Sequence, residues 1–185
     1  MGHGGDVIEE LTTDHREVDT LFERFAQAPS GSAERKSLLD ALTIELVRHS
    51  VAEEQHLYPA VREHVQDGDA LADKEIDDHA RVERLLKDLE GREADDSDFD
   101  RLVAKVRTEV TAHIQDEERN LFVQLRESCH PYVLESLGNK VRDAKKTAPT
   151  RPHPAAPSTP PANKLLAPGV GLVDRARDYV AGRGR

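Results

Sequence analysis

Four histidines and two glutamate pairs recur at a fixed spacing. His15, His49, Glu53 and Glu54 in the first half reappear 64 residues later as His79, His113, Glu117 and Glu118. Residues four apart on a helix share a face about one turn (~6 Å) apart. His49 with Glu53, and His113 with Glu117, therefore each offer a nitrogen and a carboxylate to one spot. A single histidine in an apolar stripe is usually a hydrogen-bonded core residue. The set reads differently, because two ionised glutamates facing a core would each cost several kcal/mol unless paired. Four imidazoles near neutral pH supply no strong counter-charge, whereas metal cations do.

Ligand type and count narrow the metal. Two imidazoles per ion with shared carboxylates suit five- or six-coordinate iron, with manganese or zinc as alternatives. The expected arrangement puts His15 and His49 on one ion and His79 and His113 on the other. Glu53 and Glu117 then bridge both, with an oxo or hydroxo group completing the bridge. Further candidates for ligands or outer partners follow from position. Glu83 and Asp19 lie four residues after His79 and His15, and His56 lies three after Glu53, although Asn120 stands at its repeat position. Glu45 and Glu109, one turn before His49 and His113, either orient the imidazoles or are solvated flank charges. Tyr58 falls on the far side of an ideal helix from His49 and approaches the site only if Pro59 distorts the helix. His3, His64, His130 and His153 are expected at the surface.

Four amphipathic helices are expected to carry these residues. Ile8, Leu11, His15, Val18, Phe22 and Phe25 form one stripe at steps of three and four, ended by Pro29 to Ser32. Leu38, Leu42, Leu46, His49 and Glu53 form a second, and Ile76, His79, Val82, Leu86 and Leu89 a third. The fourth runs through Phe99, Leu102, Val106, Val110, His113 and Glu117, with Ser97 as a candidate cap. Two tandem helix hairpins predict an all-α, up-down-up-down four-helix bundle with a short fifth helix near 131–145. Residues 1–145 form this domain. Residues 146–185, rich in proline and alanine, are expected to be a disordered linker and tail with a weakly amphipathic end, free to dock a partner protein.

Composition bounds the partners. Of 185 residues 34% are charged and 4% aromatic, and the net charge is −10, which argues against nucleic acid or an anionic membrane as partner. No apolar run reaches the roughly 18 residues of a membrane helix, and Met1 to Asp6 carries no basic, apolar leader. A lone cysteine, Cys129, reads as structural rather than redox-active. A cytoplasmic monomer is expected.

The ordered pattern His15, His49-x-x-x-Glu53, His79, His113-x-x-x-Glu117 resembles the hemerythrin-like HHE cation-binding family over about residues 6–145. The resemblance implies a non-haem di-iron centre in a four-helix bundle. It also implies binding, sensing or reaction with O2, H2O2 or NO, with catalase-like, peroxidase-like or NO-directed turnover as an open question. The alternative is an iron-binding, iron-handling or sensing module without turnover. Oxygen-carrying hemerythrins have a further histidine where this chain has Glu83, and an aspartate where it has Glu117. The pattern therefore departs from reversible oxygen carriage.

Overall fold

The computed structural model describes residues 4–183. Helix α1 spans Val7–Gln27 and starts in a reciprocal cap. The Asp6 carboxylate accepts from the amides of Ile8 and Glu9, while the Glu9 side chain accepts from the Asp6 amide. Helix α2 spans Ala33–Ala52 and is capped by Ser32. A π-helical turn, Glu53–Leu57, leads without a break into α3, Tyr58–His64. The second hairpin repeats the plan. Helix α4 spans Gly68–Leu89 and α5 Phe99–Asp116; a π turn over Glu117–Leu121 follows, and then α6, Phe122–Ser128. Asp98, not Ser97, precedes the first turn of α5. Helix α7, Pro131–Thr147, is the fifth helix expected near 131–145 and lies against α1 and α2. No strand occurs among the described residues. The fold is the expected up-down-up-down bundle.

Apolar packing divides into two clusters with a polar layer between them. Val18, Phe22, Leu42, Leu46, Leu86, Phe99 and Val106 belong to one. Val7, Leu11, Leu57, Tyr58, Leu121, Leu125 and Val141 belong to the other. On α1, α2, α4 and α5 the change from one cluster to the other falls at the repeated histidines and glutamates. The polar layer is thereby walled off from water at both ends, which makes each charge in it costly unless paired.

Two expectations need correction. The helix distortion after His49 is not the work of Pro59. A π turn of equal length occupies Glu117–Leu121 in the second repeat, where Val123 stands in place of proline. The amide of Tyr58 reaches back to the Glu53 carbonyl, and that of Phe122 to the Glu117 carbonyl, the five-residue bonds of a π turn. Nor is the tail an extended, disordered segment. Residues 162–181 form α8, which packs on the bundle, and 148–161 connect it to α7. Arg151 pairs with Asp178 and Glu90 at 2.8 and 3.0 Å, and Arg183 with Asp40 at 3.0 Å. A Cβ at Gly171 would lie 2.3 Å from the Thr147 carbonyl, so only glycine lets α8 press this closely on the end of α7.

Candidate metal centre

The bundle brings the six repeated side chains together. Ligand atoms of His15, His49, Glu53 and Glu117 lie within 4.8 Å of one another, as do those of Glu53, His79 and His113. All six residues are buried, and Glu53 and Glu117 are fully so. The Glu53 carboxylate spans the two histidine pairs. Its Oε1 lies 3.1 Å from Nε2 of His49 and its Oε2 3.2 Å from Nε2 of His79. Glu117 Oε2 lies 3.4 Å from Nε2 of His15 and 3.5 Å from Nε2 of His113. Close as they are, Nε2 of His15 and His49, Oε1 of Glu53 and Oε2 of Glu117 make no hydrogen bond of acceptable geometry. Buried polar atoms without partners are rare, and here they converge on one volume. That donor set suits a cation.

Each imidazole turns its other nitrogen, Nδ1, to a carboxylate. His15 meets Glu118 at 2.9 Å, His49 meets Asp14 at 3.2 Å, His79 meets Glu54 at 3.1 Å and His113 meets Glu75 at 2.7 Å. Such partners fix the ring so that Nε2 faces inward and raise its basicity as a ligand. Two of the four pairings recur with the repeat, Glu118 on His15 and Glu54 on His79; Asp14 has a repeat mate in Asp78. The second half breaks the pattern, because Asp78 stays 4.0 Å from His113 and Glu75 takes its place. Glu75 corresponds to Leu11, so repetition gives no sign of it. Lys145, from α7 and outside the repeat altogether, binds Glu10 at 2.9 Å and Asp14 at 2.6 Å. Neither Glu75 nor Lys145 was anticipated from sequence.

Charge within the layer is strongly coupled. Burial alone would push His49 and His79 down, but the carboxylates beside them prevail. Glu53 and Asp14 hold His49 well above the usual imidazole range, and Glu53 with Glu54 holds His79 up at about 10. Burial would raise Glu53, yet the charge of His49, with His79, keeps it well below the usual carboxylate range. Burial pushes Glu54 up. Without a metal, protons on His49 and His79 offset the buried charge of Glu53.

Tyr58 lies within the centre. Its hydroxyl sits 3.0 Å from Nε2 of His79 and donates to Glu117 Oε1 at 3.1 Å and Glu53 Oε2 at 3.4 Å. The π turn supplies one residue more than an α turn, and each residue is worth about 100° of rotation. That shift carries Tyr58 inward from its ideal-helix position. Burial and the nearby Glu117 and Glu53 charges raise the phenol well above its usual range, so it stays protonated.

The remaining candidates lie elsewhere. Glu45 lies 3.9 Å from Arg48, and Glu109 accepts from Arg81 at 3.3 Å; both are flank charges and neither is the Nδ1 partner of an imidazole. Asp19 pairs with Arg16 at the surface. Glu83 accepts the His153 amide at 2.6 Å. His56 borders a different groove with Pro59, Lys140 and Lys164, and burial with those lysines lowers it to about 4. His64 and His130 are exposed as expected, and His130 caps α7. His153 is partly buried and bound to Asp174 at 2.8 Å. His3 lies outside the described residues. Cys129 is buried and free.

An antiparallel four-helix bundle with paired histidines and carboxylates across its axis defines the class of bundle-held metal proteins. The hemerythrin HHE cation-binding domain model matches residues 6–125, and the chain belongs to that family. It is 24% identical over 175 residues to a hemerythrin-like protein of Schizosaccharomyces pombe, covering 94% of this chain and 86% of that one. It is also 24% identical to a DNA nickase of Nostoc sp., over 76% of this chain but only 39% of the nickase. A crystal structure of a hemerythrin HHE cation-binding domain-containing protein from Mycobacterium kansasii superimposes with a TM-score of 0.67 and 26% identity. That match covers 76% of this chain and 85% of the other. No described helix is long and apolar enough to cross a membrane.

Proposed function

We propose that this chain holds two iron ions between its histidine pairs and binds, senses or reacts with a small oxidant such as O2, H2O2 or NO. One observation carries the reading: the buried Glu53 carboxylate offers one oxygen to the His49 side and the other to the His79 side. In this assignment His15 and His49 would hold one ion, His79 and His113 the other, and Glu53 and Glu117 would serve both. When bound, the pair would supply two redox-active Lewis acids side by side.

The chain's own groups do the rest. Glu118, Asp14, Glu54 and Glu75 orient the four rings through Nδ1. The two apolar clusters exclude water from the layer. The neutral Tyr58 phenol keeps a proton within hydrogen-bond reach of the bridging carboxylates.

The test is iron content and absorption spectra of protein prepared with and without air, followed by addition of O2, peroxide or NO. Near two equivalents of iron and a spectral response to at least one of these molecules are expected. Iron uptake without any response would leave the second reading, a metal-holding or sensing module without turnover, which the complete burial of Glu53 and Glu117 favours.

A further inference from the structure

Helix α8 sits on the bundle with its faces reversed. Asn163, Ala167, Gly171, Asp174 and Asp178 are turned inward and buried. Gly171 packs against the Thr147 carbonyl, Arg151 holds Asp178 and His153 pairs with Asp174, so the rotation of the helix is fixed. The opposite face carries Leu165, Leu166, Leu172, Val173, Tyr179 and Val180, between 53% and 86% exposed. These are six of the eight large apolar side chains exposed among the described residues. At about 100° per residue they fall in one arc of about 140°, with only Gly169 and Ala176 between them. A contiguous exposed apolar face marks a contact surface.

Charge indicates what this surface meets. Lys164 on one edge of the arc and Arg177 on the other are exposed, and the half-buried Arg175 lies on the Lys164 edge. Both carboxylates of the helix, Asp174 and Asp178, are buried, so no acidic side chain interrupts the outer face. Lys140 of α7 extends the cationic edge, lining one groove with Lys164 and His56. Residues 148–185 hold six Arg and Lys against two Asp, a net charge of +4 in a chain of −10. The acidic bundle acts weakly at this face, because exposed charges more than about 8 Å apart are largely screened at physiological salt. An apolar arc bordered by cations is the form of a helix that lies in the surface of an anionic bilayer, with tyrosine at headgroup level. A second copy fits less well. A helix of 20 residues is about 30 Å long and about 10 Å wide. Two such faces would bury roughly 600 Å² in total, short of the roughly 1,200 Å² of stable interfaces, and would set cation against cation.

We propose that the outer face of α8 docks on a bilayer surface carrying anionic phospholipid, with the apolar arc in the headgroup layer and Lys164, Arg177 and Lys140 on the phosphates. The bundle is then held against the membrane and not within it, since no described helix is long and apolar enough to cross. The docking face lies beyond the matched family region of 6–125, and the inference does not rest on the proposed function.

The test is co-sedimentation of the full chain with phosphatidylcholine vesicles prepared with and without phosphatidylserine. Saturable binding is expected only with phosphatidylserine, and high salt should weaken it. Leu165→Ser combined with Leu172→Ser, both at exposed positions and with helix content checked by circular dichroism, should weaken binding at least tenfold. Lys164→Gln combined with Arg177→Gln should weaken it about 25-fold, from roughly fivefold per charge. Val123→Ser, at an exposed apolar position on α6 outside the arc, should bind like the parent. No binding to either vesicle, equal binding to both, or binding unchanged in the two double variants would overturn the proposal. A dimer in light scattering that the double serine variant dissolves, without vesicle binding, would overturn it in favour of a second copy.

Discussion

The Tyr58 hydroxyl lies 3.0 Å from Nε2 of His79. At the related position of the other half, Phe122 stacks on His15, with ring centroids 5.8 Å apart and planes 2° from parallel. Two aromatic rings thus cover one histidine from each pair, but only one carries a hydroxyl. This hydroxyl adds to the exchange of Asp78 for Glu75 at His113 in making the near-symmetric centre one-sided.

Tyr58→Phe should therefore fold normally, since phenylalanine already fills the equivalent place. Loss of hydrogen bonds to buried carboxylates should cost the metal-free protein about 1–2 kcal/mol in urea unfolding. Metal stoichiometry should stay as in the parent while the response to peroxide or NO changes. Lost metal uptake would mean that the phenol is needed to build the site.

Lys145 is the buried cation for Glu10 and Asp14. Lys145→Met leaves two buried carboxylates without it and should destabilise by about 3–5 kcal/mol. Asp14 then loses its anchor and His49 its fixed orientation, so metal affinity should fall roughly 10–100-fold. Lys146→Met, at an exposed neighbour, should change stability by less than about 0.5 kcal/mol. Equal effects of the two in denaturation and metal titration would refute this role.

Stability of the metal-free chain should depend on pH in a defined direction. His79 is raised from 6.5 to about 10, so its contribution is complete below pH 6.5 and is lost as pH rises towards 10. Glu53 is lowered below 4.5, so its contribution is complete above pH 4.5 and is lost on acidification. Denaturation midpoints should peak between about pH 4.5 and 6.5 and decline towards pH 10. Metal must displace the imidazole protons, so affinity should rise with pH over that declining limb, with proton release visible by calorimetry in buffers of different ionisation heat.

Gly171→Val should detach α8 from the bundle, because a Cβ would collide with the Thr147 and Ala148 carbonyls. The expected loss is about 1–3 kcal/mol with helix content nearly kept, and limited proteolysis should cut within 149–161. A variant as resistant as the parent would show that the contact is dispensable.

The sequence is most informative where helical spacing and repetition coincide. His49-x-x-x-Glu53 and His113-x-x-x-Glu117 point inward because residues four apart must share a face, and the apolar stripes around them dictate the bundle. Ideal 3.6-residue periodicity contains no π turn and so puts Tyr58 on the far side of the helix, and nothing in the local residue types announces the turn. Glu75 and Lys145 depend on tertiary contacts without a repeat partner. The helix of the tail is hidden in the sequence for another reason. Its helix buries Asn163, Ala167, Gly171, Asp174 and Asp178 and exposes Leu165, Leu172, Val173 and Tyr179, the reverse of the pattern that marks a docked helix.

Anaerobic titration of the metal-free chain with Fe(II) shows most directly whether Glu53 and Glu117 join two metal ions. Two equivalents are predicted for the parent, with uptake falling below one in Glu53→Ala while His15→Ala keeps about one at the His79–His113 side. Saturation of the parent at one equivalent, or Glu53→Ala binding two, would contradict this bridging.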